Sequence, residues 1–453
     1  MDLFKLEQNG TTVKREIIAG ITTFMTMAYI LAVNPNILGD AGMNTQGVFV
    51  ATIISAVLGT TLMALLANYP FALAPGMGLN AFFAYSIVIK MGYSWQFALA
   101  AVFVEGLIFI LLTAGNVREA LFDAMPNCMK YSVSAGIGLF IAFTGFKNAG
   151  VVVADSSTYV ALGNMVQADT VLCMVGIILI VVLMKKQVRG AMLIGILATW
   201  GLGMIAQLTG WYQVNPEVGA YSLFPQFTNQ AGLWTGFKEV AFSFPSMNEI
   251  FGSAQSIVNF IVIVFSFLFL DLFGTLGTLM GVASKANYLD KDGKLPRIKQ
   301  AFFADAIATT VGALCGTSTV TTFVESSAGV MEGGRTGLTA ITTAGCFLVA
   351  LFLSPIFLAI PSFATAPALI VVGVMMLDGV LKIDFNDLSE ALPAFLTMTM
   401  MPFTGNISDG IVFGGLSYVI IKVLTGKGKD VSIMMYILAV LFALQLVLSS
   451  VML

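Results

Sequence analysis

The sequence predicts an all-α polytopic membrane protein with 14 transmembrane segments, arranged as two 7-span inverted repeats. Three observations carry that expectation: an apolar composition, spans whose flanking cations fall on one side, and broken apolar segments at matching places in the two halves. Of 453 residues, 58% are hydrophobic and 10% charged, with mean hydropathy +0.93. Soluble domains carry about 25% charged residues, so this chain lacks the polar surface to face water all round. Histidine is absent, which removes imidazole from any metal site or proton relay. Cys128, Cys173, Cys315 and Cys346 stand far apart without CxxC spacing and read as small buried hydrophobes. No basic cluster interleaved with aromatics points to nucleic acid, and the net charge of −3 names no partner. The polar stretch through Glu16 reads as a lead-in to the first span rather than a cleavable signal.

A spanning helix needs roughly 20 mainly apolar residues. In order, the candidates are 17–37, 48–67, 71–89, 95–114, 131–146, 170–184 and 191–209 in the first half. The second half offers 257–283, 301–314, 319–330, 338–360, 366–381, 392–403 and 411–423. An extra C-terminal apolar segment, 433–453, follows, and whether it crosses is open. Residues 392–423 also admit a reading as a half-depth hairpin around Pro402 to Asn406. With a cytoplasmic N-terminus and alternating sides, every Lys and Arg except Lys90, Lys147 and Lys238 falls inside. The positive-inside rule asks for that asymmetry. Residues 211–256 then form an external loop, with 237–244 as an interfacial helix.

The two halves echo each other in order. Phe49-Val50-Ala51-Thr52 lines up with Phe302-Phe303-Ala304-Asp305, Pro126 with Pro361, and Arg189-Gly190 with Asp409-Gly410. An odd number of spans per unit requires the second unit to be inverted. Inverted repeats mark secondary transporters, whose site lies at mid-bilayer where broken helices meet. The breaks are present. Tyr69 to Asn80 holds Pro70, Pro75, Gly76 and Gly78 inside an apolar segment, and Gly316 to Gly329 is rich in β-branched residues. Unpaired amides are not tolerated in lipid, so short antiparallel strands in spans 3 and 10 are expected to pair with each other. Each would lead into a half-helix whose N-terminal amides face the bilayer centre.

A carboxylate inside a span is a functional-site hypothesis by default. Asp271 lies deep in span 8, with Thr275 one turn on along the same face and Gly274 and Gly277 leaving room beside them. Glu325 stands at the strand-to-helix junction of the second broken segment, and Asn80 in the matching region of the first. Glu105 and Asp305 read instead as helix–helix hydrogen-bonding groups, and Glu332 and Arg335, near the inner interface, as groups that pair or snorkel. Phe24, Tyr29, Phe82, Phe83 and Phe323 fall near the inferred centre. One or two of them could stack on a planar heterocycle.

At these residues the sequence resembles the AzgA-like purine permease branch of the nucleobase–cation symporter-2 family. The resemblance rests on Ala19 through Ile30, Asn34-Pro35, Ala74-Pro75-Gly76-Met77-Gly78-Leu79-Asn80-Ala81-Phe82-Phe83, Asp271-Leu272-Phe273-Gly274-Thr275, and Thr321 through Gly329. It covers essentially the whole chain. It implies a core domain of residues 1–115 (spans 1–4) and 257–360 (spans 8–11). A gate domain would comprise 116–210 (spans 5–7) and 361–453 (spans 12–14 and the C-terminal segment), with 211–256 as the external loop. It also implies that Asp271 and Glu325 are the binding acids and Asn80 their polar partner in span 3. Fungal members carry a second acid where this chain has Gly274, so their selectivity does not transfer directly.

The expected substrate-binding set is Glu325, Asp271, Asn80, Thr275, Ser326, Phe323, Thr26 and Tyr29, with Asp271 and Glu325 as proton-coupling groups. A 6-oxopurine offers N–H donors that a carboxylate accepts in pairs, and an O6 that suits backbone amides. On this reading Glu325 takes the N–H edge, and Asp271 either binds the base or carries the proton. A buried carboxyl holds a proton more readily than one in water, so coupling needs no histidine. The expected partners are a purine nucleobase, a proton in preference to sodium, and the lipid bilayer. A homodimer is left open, and no cofactor is expected. The expected function is uptake of guanine or hypoxanthine by proton symport, through the bacterial cytoplasmic (inner) membrane. An adenine permease is the alternative within the family. An anion transporter or channel of similar architecture is more remote, because fixed carboxylates oppose it. No nucleophile–base pair or metal cluster suggests an enzyme.

Overall fold

The computed structural model describes residues 3–115, 126–214, 222–225, 231–285, 288 and 295–451. Nine of the helices among them are long and apolar enough to cross a membrane. Helix α1 (Val13–Met27) begins at Thr12, whose hydroxyl accepts from the Arg15 amide at 3.4 Å, as N-terminal threonines do. The chain breaks at Ala28-Tyr29 and resumes as α2 (Ile30–Asp40), which carries Pro35. The Asn44 side chain caps α3 (Thr45–Leu62) by accepting from the Gln46 and Gly47 amides, each at 3.1 Å. This helix loosens into a π-helical turn, Met63–Ala67, and stops at Asn68, which adopts a left-handed φ of 50°.

The predicted strands are present. Strand β1 (Leu73–Pro75) pairs antiparallel with β4 (Val320–Thr322), with Leu73 opposite Thr322, Ala74 opposite Thr321 and Pro75 opposite Val320. A two-stranded sheet has open edges, and each buried edge group needs a partner. Threonines on flanking helices supply them. The Thr60 hydroxyl accepts from Leu73 N (2.9 Å) and lies 3.1 Å from Leu73 O; the Thr309 hydroxyl donates to Val320 O at 2.9 Å. After β1 come α4 (Met77–Ala81), extended by a π-helical stretch (Phe82–Lys90), and α5 (Trp95–Ala114).

Next stand α6 (Asn127–Asn148), a hairpin of β2 (Val152–Asp155) and β3 (Tyr159–Leu162), α7 (Ala168–Lys185) and α8 (Ala191–Leu208). The hairpin was not expected. The interfacial helix expected at 237–244 is α9 (Ala231–Val240) instead, and it docks on the start of α3, where Asn44 donates to Glu239 at 2.7 Å. A short α10 (Met247–Phe251) leads to α11 (Ala254–Lys285), then α12 (Ile298–Cys315), β4 and α13 (Ser326–Met331). The chain ends with α14 (Gly337–Ala350), α15 (Ser354–Phe357), α16 (Ser362–Met375), α17 (Leu388–Thr404), α18 (Ile407–Leu424) and α19 (Ile433–Val451). At 17 and 18 residues, α17 and α18 exceed the stretches expected at 392–403 and 411–423.

The helices sort into two packing groups. In one, α3 packs on α2, α12 and α14, α5 on α11 and α12, and α1 on α13 and α14. In the other, α6 packs on α16 and α17, α7 on α8 and α16, and α18 on α17 and α19. Close backbone approach holds the first group together. A Cβ added to Gly329 on α13 would lie 2.1 Å from the Thr23 hydroxyl and 2.6 Å from Ala19 O, so only glycine fits that crossing.

Candidate functional site

Two polar clusters flank the β1–β4 pair. The first is built on Glu325, the residue before α13. The Tyr29 hydroxyl, delivered by the break between α1 and α2, donates to Glu325 Oε1 at 2.6 Å. That length is typical of a charge-assisted bond. The Thr26 hydroxyl bonds the main-chain oxygens of Thr22 and Thr23 and reaches 3.4 Å from Glu325 O. Tyr29 is fully buried, whereas Glu325 and Thr26 stay partly exposed. Glu325 is therefore held on one oxygen by protein and is reachable by a ligand.

The second cluster centres on Thr275. Its hydroxyl lies 2.8 Å from Asp271 Oδ1, 2.6 Å from the Thr321 hydroxyl, and 3.2 and 3.3 Å from the two carboxylate oxygens of Asp305. Asp271, Thr275 and Asp305 are all sealed at 0% exposure. The spacing of Asp271 and Thr275 on one helical face is as the sequence suggests. Asp305, on α12, reaches Thr275 of α11, a helix–helix hydrogen bond of the kind the sequence suggests. It shares the Thr275 hydroxyl with Asp271, so α11, α12 and β4 meet on one oxygen. Thr321 escaped the sequence reading, although strand alternation in Thr319-Val320-Thr321 could have singled it out.

Asn80 forms a third element, beside Ser318 just before β4. Its side-chain oxygen accepts from the Ser318 hydroxyl, and its amide nitrogen is buried with no hydrogen-bond partner among the described residues. Leaving such a donor unpaired costs about 1–3 kcal/mol, which marks a place where an acceptor is wanted. Glu105 Oε2 accepts from the Thr319 hydroxyl at 2.8 Å, a bond to the broken segment just before β4 rather than to another helix.

Other expected residues occupy different positions. The Ser326 hydroxyl is buried and accepts from the Ala72 amide at 3.0 Å, tying α13 to the first broken segment. Phe323, 5% exposed, donates its amide to Ala72 O at 2.9 Å and so extends the strand pairing. The amides at the start of α13 were expected to face a ligand. Those of Ser326, Ser327 and Ala328 bond instead to the carbonyls of Phe323, Val324 and Glu325, because the helix opens in a tight turn. Glu332 and Arg335 do not pair with each other. Glu332 meets Arg189 at 2.6 Å, and Arg335 donates to the main-chain oxygens of Val330 and Gly334.

Accessibility around the site is one-sided. Ile261, Phe265 and Leu268 form an outer stripe on α11, but beyond Asp271 the accessible positions shift to Gly274 and Thr278, on a different face of the helix. Val324 is exposed and Glu325 partly so, while Asn80 through Ala84 and Phe267 are buried, with Phe82 edge-on to Phe267 at 4.9 Å between ring centres. These accessible positions lie toward the end where Glu16 accepts from the Arg335 amide, which is the end carrying the N-terminus.

A helical membrane protein with strands paired in its interior and carboxylates held beside them is, by fold and site, a transporter rather than an enzyme. The model of the Permease family matches residues 14–413. This chain belongs to that family, the nucleobase–cation symporter-2 permeases. It is 44% identical to the guanine/hypoxanthine permease PbuO of Bacillus subtilis, over 98% of this chain and 99% of that one. It is 40% identical to the adenine permease AdeP of Escherichia coli, over 98% and 95%. Among solved structures it resembles the transmembrane domain of the cyanobacterial bicarbonate transporter BicA, with TM-score 0.63 over 88% of this chain and 97% of that one. At 15% identity that likeness speaks for the fold alone.

Proposed function

We propose that this chain imports a purine nucleobase, guanine or hypoxanthine in preference to adenine, by proton symport with alternating access. The observation that carries the reading is Glu325: an accessible carboxylate beside the broken helices, fixed on one oxygen by Tyr29 and free to accept a purine N–H on its accessible side. Asn80 supplies a buried amide donor suited to a purine acceptor. Asp271 and Asp305 share one hydroxyl away from water, and this buried pair of carboxyls is where the coupled cation would sit. The names of the relatives in Bacillus subtilis and Escherichia coli support a purine as cargo.

On this reading the membrane is the bacterial cytoplasmic membrane, with a cytoplasmic N-terminus and 14 spans in two inverted repeats. The packing group containing α1–α5 and α11–α15 is the moving core, and the group containing α6–α8 and α16–α19 is the gate. Uptake of labelled hypoxanthine, competed by unlabelled guanine and adenine with and without a protonophore, tests it. We expect guanine to compete, adenine to compete weakly, and the protonophore to abolish accumulation. Asp271→Asn and Glu325→Gln should each reduce uptake at least tenfold. Near-normal transport and affinity in both variants would sink the site assignment, and strong competition by adenine alone would reverse the selectivity.

A further inference from the structure

The seam between the two packing groups is built differently at its two ends. Away from the N-terminus it is a row of contacts. Lys90 pairs with Asp409 at 3.6 Å and donates to Thr404 O, Ser86 donates to Gly405 O at 3.3 Å, and Asn148 donates to the Tyr85 hydroxyl at 3.0 Å. At the N-terminal end, where the site opens, the ion pair recorded across the seam among the described residues joins Arg189 to Glu332 at 2.6 Å. Arg189 lies in the turn between α7 and α8, and Glu332 caps the end of α13, seven residues after Glu325. The next residue, Gly190, brings its backbone against Met25 of α1; a Cβ there would lie 3.2 Å from Met25 O.

The charges around Glu332 are otherwise committed. Arg15 Nε points to the main-chain oxygen of Glu332 at 3.5 Å, and Arg335 takes the carbonyls of Val330 and Gly334. The buried carboxylate of Glu16 accepts from the amides of Arg335, Thr336 and Thr339 and from the hydroxyls of Thr336 and Thr339. Among the described residues, Arg189 is thus the cation that meets the Glu332 side chain, and it comes from the opposite packing group.

We infer that the Arg189–Glu332 pair is a conformational latch, which holds α13 and the site it carries against the α7–α8 turn while the site faces the N-terminal end, and which breaks when the site turns to the other side. The inference rests on the alternating-access reading above. The side chains are 57% and 26% exposed, and pairs of that kind shift an equilibrium by no more than about two- to fivefold. A weak, salt-sensitive bond suits a contact that is remade in every cycle, because a strong one would trap the carrier on one side.

The test uses full-length protein in oriented vesicles, with Thr278→Cys as a reporter on the open face of α11 and native Cys346 replaced by Ser. Arg189→Glu and Glu332→Arg are each expected to lower thiol labelling of the Thr278→Cys reporter from the N-terminal side by about two- to fivefold at low salt. The exchange of opposite charges, R189E with E332R, should restore labelling and the rate of hypoxanthine counterflow together. Raising ionic strength should erase the difference between the reporter protein with both native charges and the single charge variants. Single variants that label like that parent at low salt, or a swap that fails to restore labelling, would overturn the latch. Absence of purine transport by the wild type counts against the transport reading instead, and the labelling result then judges the latch by itself.

Discussion

At the scale of single residues, the site depends on how one hydroxyl restrains one carboxylate. The Tyr29 hydroxyl holds Glu325 Oε1 at 2.6 Å from a ring that is fully buried, so the carboxylate is aimed before any ligand arrives. Hydrogen bonds to charged groups contribute about 1.5–3 kcal/mol, and a preorganised acceptor binds more tightly than one that must be ordered. Tyr29→Phe keeps the ring and removes the donor. It should raise the apparent KM for hypoxanthine about tenfold to a hundredfold, with little loss of folded protein in the membrane. An unchanged KM, measured beside a surface-expression control, would mean that Tyr29 only fills space. Thr275 works by a different logic. It gathers Asp271, Asp305 and Thr321 around one oxygen, and its value lies in the meeting of three elements rather than in any one bond.

At the scale of elements, each broken segment is explained by what its sequence refuses to do. Pro70 and Pro75 each remove a main-chain donor and disfavour helix just before them, and the β-branched run Val320-Thr321-Thr322 favours extended chain, so a paired strand between helices is the outcome. Those breaks were legible because Pro and β-branched residues stand out in an apolar background. The β2–β3 hairpin was not, since Val152–Asp155 and Tyr159–Leu162 are short, largely exposed, and bury no periodic face. Its turn is set by Asp155, whose side chain accepts from the amides of Ser157 and Thr158 at 2.8 Å each and from the Thr158 hydroxyl at 2.9 Å. The Thr158 and Ser157 amides, followed by that hydroxyl, hold the Asp155 carboxyl below its usual range. A depressed folded-state value means the turn gains stability above the ordinary carboxylate range of about 3.9 and loses it as pH falls through the lower, folded value. Amide exchange at Ser157 and Thr158 should therefore stay slow through mildly acidic pH and accelerate only below that range. Asp155→Asn should flatten the profile, and equal acceleration in both proteins at mildly acidic pH would remove Asp155 from the account.

At the scale of the whole molecule, the features legible in the sequence were those that each reside in one segment. Asp271 and Thr275 share a helix face, Glu325 sits at a composition break, and Asn80 follows a proline–glycine run. The gathering of Asp305 and Thr321 with Asp271 is spread over two helices and a strand, so no local spacing announces it. The seam between the packing groups is likewise a property of the fold, and glycine marks where its surfaces come closest. A Cβ on Gly78 of α4 would lie 2.6 Å from Ile137 Cγ2 on α6, nearer than real side chains approach. If the groups slide past each other during transport, this contact must stay thin in every position they adopt. Gly78→Leu would wedge α4 from α6, since overpacking typically costs about 1–3 kcal/mol and is relieved by displacing one surface from the other. That cost leaves the protein folded but biases it against the closed seam. We expect hypoxanthine uptake to fall at least tenfold, while Gly78→Ala, which adds only one methyl against the Ile137 branch, retains a measurable fraction. Uptake by Gly78→Leu equal to wild type at matched surface expression would show that the α4–α6 contact is not part of the moving seam.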